Sequence, residues 1–254
     1  MLPDAMRSVE IHFHALPGVD DGPETMEESL ALLRAAAADG TGTVVVTPHV
    51  RGDFVTEVAE LGPRLRELDA AAAAAGLSID LRQGGELGHD MVGRLGQREL
   101  EELAQGPPGS RWLLVETPFE PLDALFHAAT DELRDRGFGV VIGHPERSAD
   151  ATFFGSSGLR RELDRGALAQ VNAQSITGEH GRAARDAAFE LIRTGLVHAV
   201  SSDAHGPIRP PLLGEARARL LDAGVTLGLC RALTFSGPRH LLARGIGSRA
   251  AVLA

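Results

Sequence analysis

The chain has 254 residues and a formal net charge of −10, with 35 acidic side chains against 25 Lys and Arg. This balance argues against nucleic acid as a partner, because nucleic-acid-binding proteins usually present a basic face to the phosphates. All 25 basic residues are Arg, which excludes Schiff-base chemistry on Lys, and the single Cys excludes an internal disulfide and a thiolate zinc cluster.

Short β-rich runs alternate with helical stretches along the chain. The predicted strands are Val9–His14, Thr43–Thr47, Ile79–Gln83, Trp112–Glu116, Gly139–Gly143, Leu168–Asn172 and His198–Ser202. The predicted helices are Glu24–Ala38, Phe54–Ala75, Asp90–Ala104, Leu122–Arg136, Leu159–Arg165, Arg182–Arg193, Pro211–Ala223 and Pro238–Arg244. This alternation implies parallel strands with helical crossovers, so we expect an α/β barrel, with an open doubly wound sheet as the alternative.

The chain shows no sign of a membrane segment or of a boundary between domains. Residues 1–9 contain no apolar signal sequence, and no apolar run approaches the ~20 residues of a membrane helix. No linker-like stretch divides the chain. We therefore expect a single domain over residues 1–254, a cytoplasmic location and no membrane insertion.

Six of the seven predicted strands run into a His or a carboxylate at their carboxyl ends, where active sites of such folds collect. These residues are His12, His14, His49, Glu86, Glu116, His144, Asp203 and His205. Buried imidazoles and carboxylates are costly without a compensating ion, so the set predicts a multinuclear metal centre. Mixed imidazole and carboxylate ligands without thiolate favour Zn, Mn or Fe over Ca. The remaining histidines, including His180, are expected to be structural.

The order of the motifs resembles one known superfamily. Along the chain stand HFH, PGVDDGP, TPH, GGE, VET, GHPER, QVN and SDAH. This series resembles the polymerase and histidinol phosphatase (PHP) superfamily. The segment PGVDDGPETMEESL resembles in particular the bacterial manganese-dependent protein-tyrosine phosphatases of capsule and exopolysaccharide systems. The resemblance implies a distorted (β/α)7 TIM-like barrel and three divalent metal ions, with Mn expected first and Fe or Zn as alternatives.

The resemblance also implies the site residues. It assigns His12, His14, Glu86 and Asp203 to the first ion, Glu86, Glu116 and His144 to the second, and Asp21, His49 and His205 to the third. Asp20 remains the alternative to Asp21. Arg147 and Arg209 match the two arginines that bind phosphate in these phosphatases.

The predicted function is hydrolysis of phosphate monoesters, with phosphotyrosine in a protein, such as a bacterial tyrosine kinase, as the expected substrate. Three divalent ions with four carboxylate ligands leave the site at about +2, which suits a phosphate dianion. We expect a metal-bridging hydroxide to attack phosphorus without a covalent enzyme intermediate. The alternatives are a small-molecule phosphatase, such as a histidinol phosphatase, and a non-catalytic PHP scaffold module. A hydrolase of C–N bonds is disfavoured, because such enzymes typically need a metal-bridging Lys.

Overall fold

Parallel strands joined by helices run through the whole described chain. The structure, a computed structural model, describes residues 7–55, 57–149, 151 and 158–247. The strands are β1 Ser8–Glu10, β2 Thr41–Val46, β3 His49–Val50, β4 Asp80–Gln83, β5 Glu86–Leu87, β6 Trp112–Glu116, β7 Gly139–Gly143, β8 Leu168–Asn172 and β9 Val197–Ser201. The helices are α1 Met26–Ala38, α2 Leu61–Ala74, α3 Gln97–Leu103, α4 Ala124–Asp135, α5 Gly158–Asp164, α6 Ala173–Thr177, α7 Gly181–Arg193, α8 Leu213–Asp222, α9 Leu227–Arg231 and α10 Gly237–Arg244.

The strands form two sheets in which neighbouring strands are parallel. One sheet has the order β1-β2-β4 and the other the order β3-β5-β6-β7-β8-β9. An isolated parallel bridge pairs Phe13, which follows β1, with Ala204, which follows β9. The predicted α/β class with a parallel sheet is therefore confirmed.

The first predicted strand, Val9–His14, is wrong in its extent, because β1 ends at Glu10. Beyond that residue the backbone makes separate contacts with the segment after β9. The N–H of Asp203 donates to the carbonyl of His12 at 3.0 Å, and the N–H of His14 donates to the carbonyl of Ala204 at 2.9 Å. The departure from regular pairing leaves both imidazoles fully buried between the two segments.

Two predicted helices are longer than the helices observed. The predicted helix Asp90–Ala104 is a 3-10 turn at His89–Met91 followed by α3, and Gly96 is the N-cap of α3. Gly is a poor interior helix residue and a good cap, which explains the break. The predicted helix Phe54–Ala75 begins only at Leu61, after a 3-10 turn. The short helices α6 and α9 were not predicted.

An apolar cluster fills the space between the strands at their amino ends. Its buried members are Val9, Ile11, Val45, Trp112, Leu114, Val141, Ala199 and Leu241. Helix α10 covers this end, since the indole N–H of Trp112 donates to the carbonyl of Leu241 at 3.0 Å. Only the carboxyl ends of the strands are left for polar chemistry. Within the described ranges, no helix combines the length and the apolar character needed to cross a membrane.

A buried carboxyl group joins β1 to the segment after β9. Glu10 is fully buried and accepts hydrogen bonds from the backbone N–H of Ser202, at 2.7 Å, and from the hydroxyl of the same residue. Burial raises the pKa of Glu10 from 4.5 to about 8. The folded protein therefore keeps this proton in a pH range where the unfolded chain has lost it.

Glu10→Gln is expected to flatten the pH dependence of stability. Between pH 4.5 and about 8 the unfolded chain binds fewer protons at this position than the folded protein, so stability falls as pH rises. The largest slope that one such group can give is about 1.4 kcal/mol per pH unit. Urea unfolding of the metal-free protein at pH 5, 6, 7 and 8 measures it. Equal slopes for wild type and variant would contradict this role of Glu10.

Candidate metal centre

The structure brings all nine residues expected as metal ligands into one continuous cluster. His12 and His14 follow β1, Glu116 ends β6, and His144 follows β7. His49 and Glu86 open β3 and β5 and are register partners in the sheet, while Asp203 and His205 follow β9. Asp21 joins from the loop before α1, with its Oδ1 3.2 Å from Nε2 of His205.

Glu86 lies at the centre of the cluster and is fully buried. Its Oε2 is 3.1 Å from Nε2 of His12, 3.3 Å from Nε2 of His14 and 2.9 Å from Nδ1 of His49. Its Oε1 is 2.9 Å from Nε2 of His144. One carboxylate among four imidazoles has the placement of a group that bridges two cations.

The cluster contains three sets of residues that could each hold a cation, and within each set the ligand atoms lie within 4.8 Å of one another. The sets are His12, His14, Glu86 and Asp203, then His14, Asp21, His49 and His205, and then His49, Glu86 and Glu116. The first contains every residue expected at the first ion, and the second every residue expected at the third. For the second ion the structure groups Glu116 with His49, where the expectation had His144.

An arginine that sequence reasoning missed holds Glu116. Nη1 of Arg51 lies 2.8 Å and 3.0 Å from the two carboxylate oxygens of Glu116, and the same guanidinium also binds Asp53. Arg51 stands two residues after His49, beyond the short strand β3. Its position in the sequence, two residues after a candidate ligand, was the available signal for a residue near the site.

The adjacent carboxylates Asp20 and Asp21 take different positions. Oδ1 of Asp21 faces the cluster, 3.2 Å from Nε2 of His205 and 3.4 Å from Nε2 of His49. Asp20 lies behind His14, with Oδ2 2.7 Å from Nδ1 of that ring, and also accepts from the backbone N–H of His49 at 2.9 Å. The geometry therefore puts Asp21 among the candidate ligands and makes Asp20 a residue that orients His14.

Asp20→Asn is expected to weaken metal binding by about 10- to 100-fold, the usual effect of losing a carboxylate behind a ligating His. The ring of His14 loses the acceptor that fixes its tautomer and orientation. Calorimetric titration of metal-free protein with Mn²⁺ measures the affinity. Asp80→Asn, at an exposed carboxylate paired with Arg82, is the matched control. Wild-type affinity in the Asp20 variant would contradict the assignment.

The two non-glycine residues with positive φ among those described are both in the cluster. His144 has φ 38° and Asp203 has φ 52°, directly after β7 and β9. Backbone of this kind costs on the order of 1–3 kcal/mol and persists where the surroundings impose it, as at functional sites.

Several buried polar atoms of the cluster make no well-aligned hydrogen bond, although some of them lie close to an opposite charge. Within the described residues they are Nε2 of His12, His14 and His205, Nδ1 of His49 and His144, Oε2 of Glu86 and Oδ1 of Asp203. Unsatisfied buried polar atoms are rare, because each costs free energy. Apart from Nδ1 of His144, these atoms belong to residues of the three ligand sets, which contain no thiolate, so the donor set fits divalent first-row metal ions.

The pKa values show that the cluster requires positive charge. Burial alone would lower the pKa of His12, but the carboxylates of Glu86 and Asp203 raise it to about 9. Burial opposes the ionisation of Asp203, yet the charge of His12 brings the pKa of that carboxyl well below its usual value. Protons on His12 and on His14, whose pKa is also raised well above its usual value, thus balance buried carboxylates when no cation is bound. Metal binding would displace those protons.

The two predicted phosphate-binding arginines lie at separate edges of the cluster. Nη1 of Arg147 is 3.4 Å from Oδ2 of Asp203, and Nη2 of Arg209 is 2.6 Å from Oδ2 of Asp21. A tight turn, in which the N–H of His205 donates to the carbonyl of Arg209 at 2.9 Å, directs Arg209 to this place. Both guanidinium groups are therefore anchored next to candidate ligands.

Polar residues of β8 support the cluster from behind. Oε1 of Gln170 lies 2.9 Å from Nδ1 of His12, and the amide of Gln170 donates to Asn172 at 2.9 Å. The amide of Asn172 in turn donates to Oδ2 of Asp203 at 2.7 Å. The motif QVN contains both residues, but neither was assigned a role from it. Both residues orient candidate ligands.

His180, which was expected to be structural, lies near the site, in the lining of the same cleft as Arg147. Its Nδ1 is 2.9 Å from the hydroxyl of Ser175, which donates to Oε1 of the buried Glu146 at 2.7 Å. Burial, together with the charge of Arg147, lowers the pKa of His180 to about 4, so the ring is neutral at pH 7. By contrast, His127 pairs with Glu162 at 2.6 Å, as a structural histidine does.

Comparison with known proteins identifies the family. The model of the family described as "Capsular polysaccharide synthesis, CpsB/CapC" matches residues 8–243. The chain belongs to this family. The tyrosine-protein phosphatase CpsB of Streptococcus pneumoniae is 29% identical over 217 residues, which cover 82% of this chain and 87% of that protein. The tyrosine-protein phosphatase YwqE of Bacillus subtilis is 28% identical over 200 residues, covering 78% and 77%.

Solved structures agree with this membership. A chain from the crystal structures of YwqE from Bacillus subtilis and CpsB from Streptococcus pneumoniae, described as metal-dependent tyrosine phosphatases, aligns with a TM-score of 0.81. That alignment has 25% identity and covers 94% of this chain and 96% of the other. A phosphotriesterase homology protein from Escherichia coli, with 13% identity and a TM-score of 0.62, shares the fold alone. The predicted resemblance to capsule-type tyrosine phosphatases is confirmed.

Proposed function

We propose that this CpsB/CapC protein is a metal-dependent protein-tyrosine phosphatase that holds three divalent ions, with Mn preferred over Fe or Zn. One observation carries the proposal: eight imidazoles and carboxylates form three sets that could each hold a cation, His144 contacts Glu86 among them, and an arginine lies at each of two edges. The tyrosine-protein phosphatases among its relatives supply the substrate class.

The proposed ligands are those expected from the sequence, with Asp21 chosen over Asp20. They are His12, His14, Asp21, His49, Glu86, Glu116, His144, Asp203 and His205. His144 belongs with them because its Nε2 lies 2.9 Å from Glu86. When bound, the ions supply Lewis acidity, which polarises the phosphoryl group and makes water a better nucleophile. Glu116 must exchange its contact with Arg51 for a cation.

Arg147 and Arg209 are the proposed phosphate-binding residues. Their guanidinium groups lie at carboxylates on different sides of the cluster, so a phosphate placed over it would be within reach of both. Arginine forks suit phosphate oxygens, and fixed positive charge stabilises the charge that spreads over these oxygens during phosphoryl transfer. Each arginine would give up part of its contact with a carboxylate once that carboxylate binds a cation.

The reaction that fits these residues is direct hydrolysis. The oxygen of water forms the new bond to phosphorus, the bond from phosphorus to the tyrosyl oxygen breaks, and the phenolate leaves with that electron pair. Water gives up one proton and the phenolate takes up one, so the products are tyrosine and hydrogen phosphate. No thiol takes part, because Cys230 is buried in α9 and burial raises its pKa. A phenolate is a comparatively good leaving group, so the site can work without a strong acid.

We also propose that residues 1–254 form one catalytic domain built as a distorted (β/α)7 barrel. The support is the strand arrangement: β2 leads into β3 and β4 leads into β5, which gives seven positions around the sheet. The bridge between Phe13 and Ala204 lies between the first and the last of them.

The physiological substrate is proposed to be phosphotyrosine in a protein of polysaccharide synthesis, such as a bacterial tyrosine kinase. Initial-rate assays of Mn-loaded protein on a phosphotyrosyl peptide and on histidinol phosphate test this choice through kcat/KM. We expect the peptide to be preferred and a chelator to abolish the activity. Hydrolysis of histidinol phosphate with an intact peptide would make the protein a small-molecule phosphatase. Inactivity on both after metal loading would favour a scaffold role.

A further inference from the structure

A cleft of about 580 Å³ opens beside Arg147. Its lining includes Phe119, Arg147, Glu179, His180, Ala183 and Ala184, and we call it the Arg147 cleft. Arg147 lines the cleft on the side of the metal centre, since its Nη1 is 3.4 Å from Oδ2 of Asp203. The cleft therefore begins where the proposed function places the phosphate.

Phe119 stands at this cleft with its side chain 63% exposed. The guanidinium carbon of Arg147 lies 5.0 Å from the centre of its ring, within the range of a cation–π contact. Two hydrogen bonds fix the loop: Ala149 N–H to the carbonyl of Phe119 and Ser148 hydroxyl to the carbonyl of Glu120, each 2.9 Å. The ring is thus held in a defined place beside a proposed phosphate-binding residue, although it remains open to solvent.

Three of the other lining residues leave space for a flat occupant. Ala183 and Ala184 belong to the first turn of α7 and leave space because their side chains are small. The ring of His180, held through Ser175 by Glu146, adds a flat edge to the same lining. The cleft therefore combines the Arg147 guanidinium with aromatic and small apolar groups, and it also carries the carboxyl groups of Glu146 and Glu179.

We propose that the Arg147 cleft binds the aromatic ring of the phosphotyrosyl side chain, and that Phe119 selects aryl over alkyl phosphate esters. The inference rests on the proposed function and deepens it. With the phosphate at Arg147, the group on the ester oxygen must leave the metal centre, and the Arg147 cleft offers it a place. A phenyl ring can pack against Phe119, whereas the short chain of a phosphoserine provides no ring for this contact.

Binding of two non-hydrolysable phosphonates to the Mn-loaded full-length protein isolates the contribution of the ring. Phenylphosphonate carries the ring and methylphosphonate does not, and calorimetry gives both Kd values. In Phe119→Ala we expect the Kd of phenylphosphonate to rise about tenfold and that of methylphosphonate to stay within about twofold. Phe119→Trp should restore the preference. Leu227→Ala, at a side chain of similar exposure (57%) in α9, is the control and should change neither value.

Two results would overturn the inference. Two unchanged Kd values in Phe119→Ala would mean that the ring of Phe119 does not contact the ligand. Equal weakening of both ligands means that Phe119 only supports Arg147. Failure of the proposed function is distinguishable, because it appears as a wild-type protein that leaves the phosphotyrosyl peptide intact, whatever the phosphonates do.

Discussion

Glu86→Gln is expected to lower kcat on a phosphotyrosyl peptide by at least about a thousandfold. Glu86 contacts four imidazoles from the centre of the cluster, and its two oxygens face different rings. The amide keeps the shape of the side chain but removes the negative charge and one oxygen ligand. The loss therefore affects two proposed ions at once, which makes it the largest single effect that the structure predicts.

Two measurements show whether this loss comes from the metal. Elemental analysis of Glu86→Gln should find less metal per chain than in wild type. Added Mn²⁺ should raise the Tm of the wild type, because a ligand that binds only the folded state stabilises it, and should raise that of the variant much less. Asp80→Asn provides the control, since it removes an exposed carboxylate elsewhere. Full activity and full metal content in Glu86→Gln would be incompatible with the proposed centre.

Arg147→Ala is expected to lower kcat/KM for the phosphotyrosyl peptide by about 100- to 1000-fold while metal content stays at the wild-type level. The guanidinium is proposed to bind the phosphate and to neutralise charge on its oxygens in the transition state. Arg147→Lys should recover only part of the activity, because an ammonium group lacks the fork that matches two phosphate oxygens.

The matched control for Arg147 is Arg165→Ala. Arg165 is also an arginine paired with an aspartate, Asp131, but its partner is not a candidate ligand. Its removal should leave kcat/KM and metal content unchanged. If Arg147→Ala loses metal to the same extent as Glu86→Gln, then Arg147 supports Asp203 as a ligand, and its assigned role in binding phosphate is wrong.

Local sequence patterns predicted the strands that carry the site well. β6, β7 and β8 have the bounds predicted, because runs such as Trp112–Glu116 are apolar and end at a polar residue. β1 was predicted too long, since contacts of His12 and His14 with the segment after β9 replace regular pairing. Those contacts join residues about 190 positions apart, and no local pattern contains them.

Eight of the nine candidate ligands were accessible from the sequence because they sit where predicted strands end, and Asp21 was accessible only through the resemblance. Their division among ions came from the resemblance to a known superfamily. The role of Arg51 depends on a long-range contact with Glu116. The role of Asp20 depends on which of two adjacent carboxylates turns towards His14, and a sequence does not distinguish them. His180 was assigned a structural role because a histidine near a helix start has no distinguishing pattern. Only the packing of α7 brings it near Arg147.

The chain has no Lys, and the structure shows what its arginines do near the cluster. Every long cationic side chain near the cluster is an arginine, and each of Arg51, Arg147 and Arg209 contacts a candidate ligand. Guanidinium groups bind carboxylates and phosphates through the same planar fork. Such residues can therefore hold a carboxylate in the free site and turn to phosphate when metal and substrate are present.

Anomalous X-ray diffraction from crystals grown with Mn²⁺ and phosphate tests the central claim most directly. We predict anomalous peaks among the nine candidate ligands, with phosphate oxygens contacting Arg147 and Arg209. Crystals of catalytically active protein with no anomalous peak in this cluster, or with the metal bound elsewhere, would contradict the account.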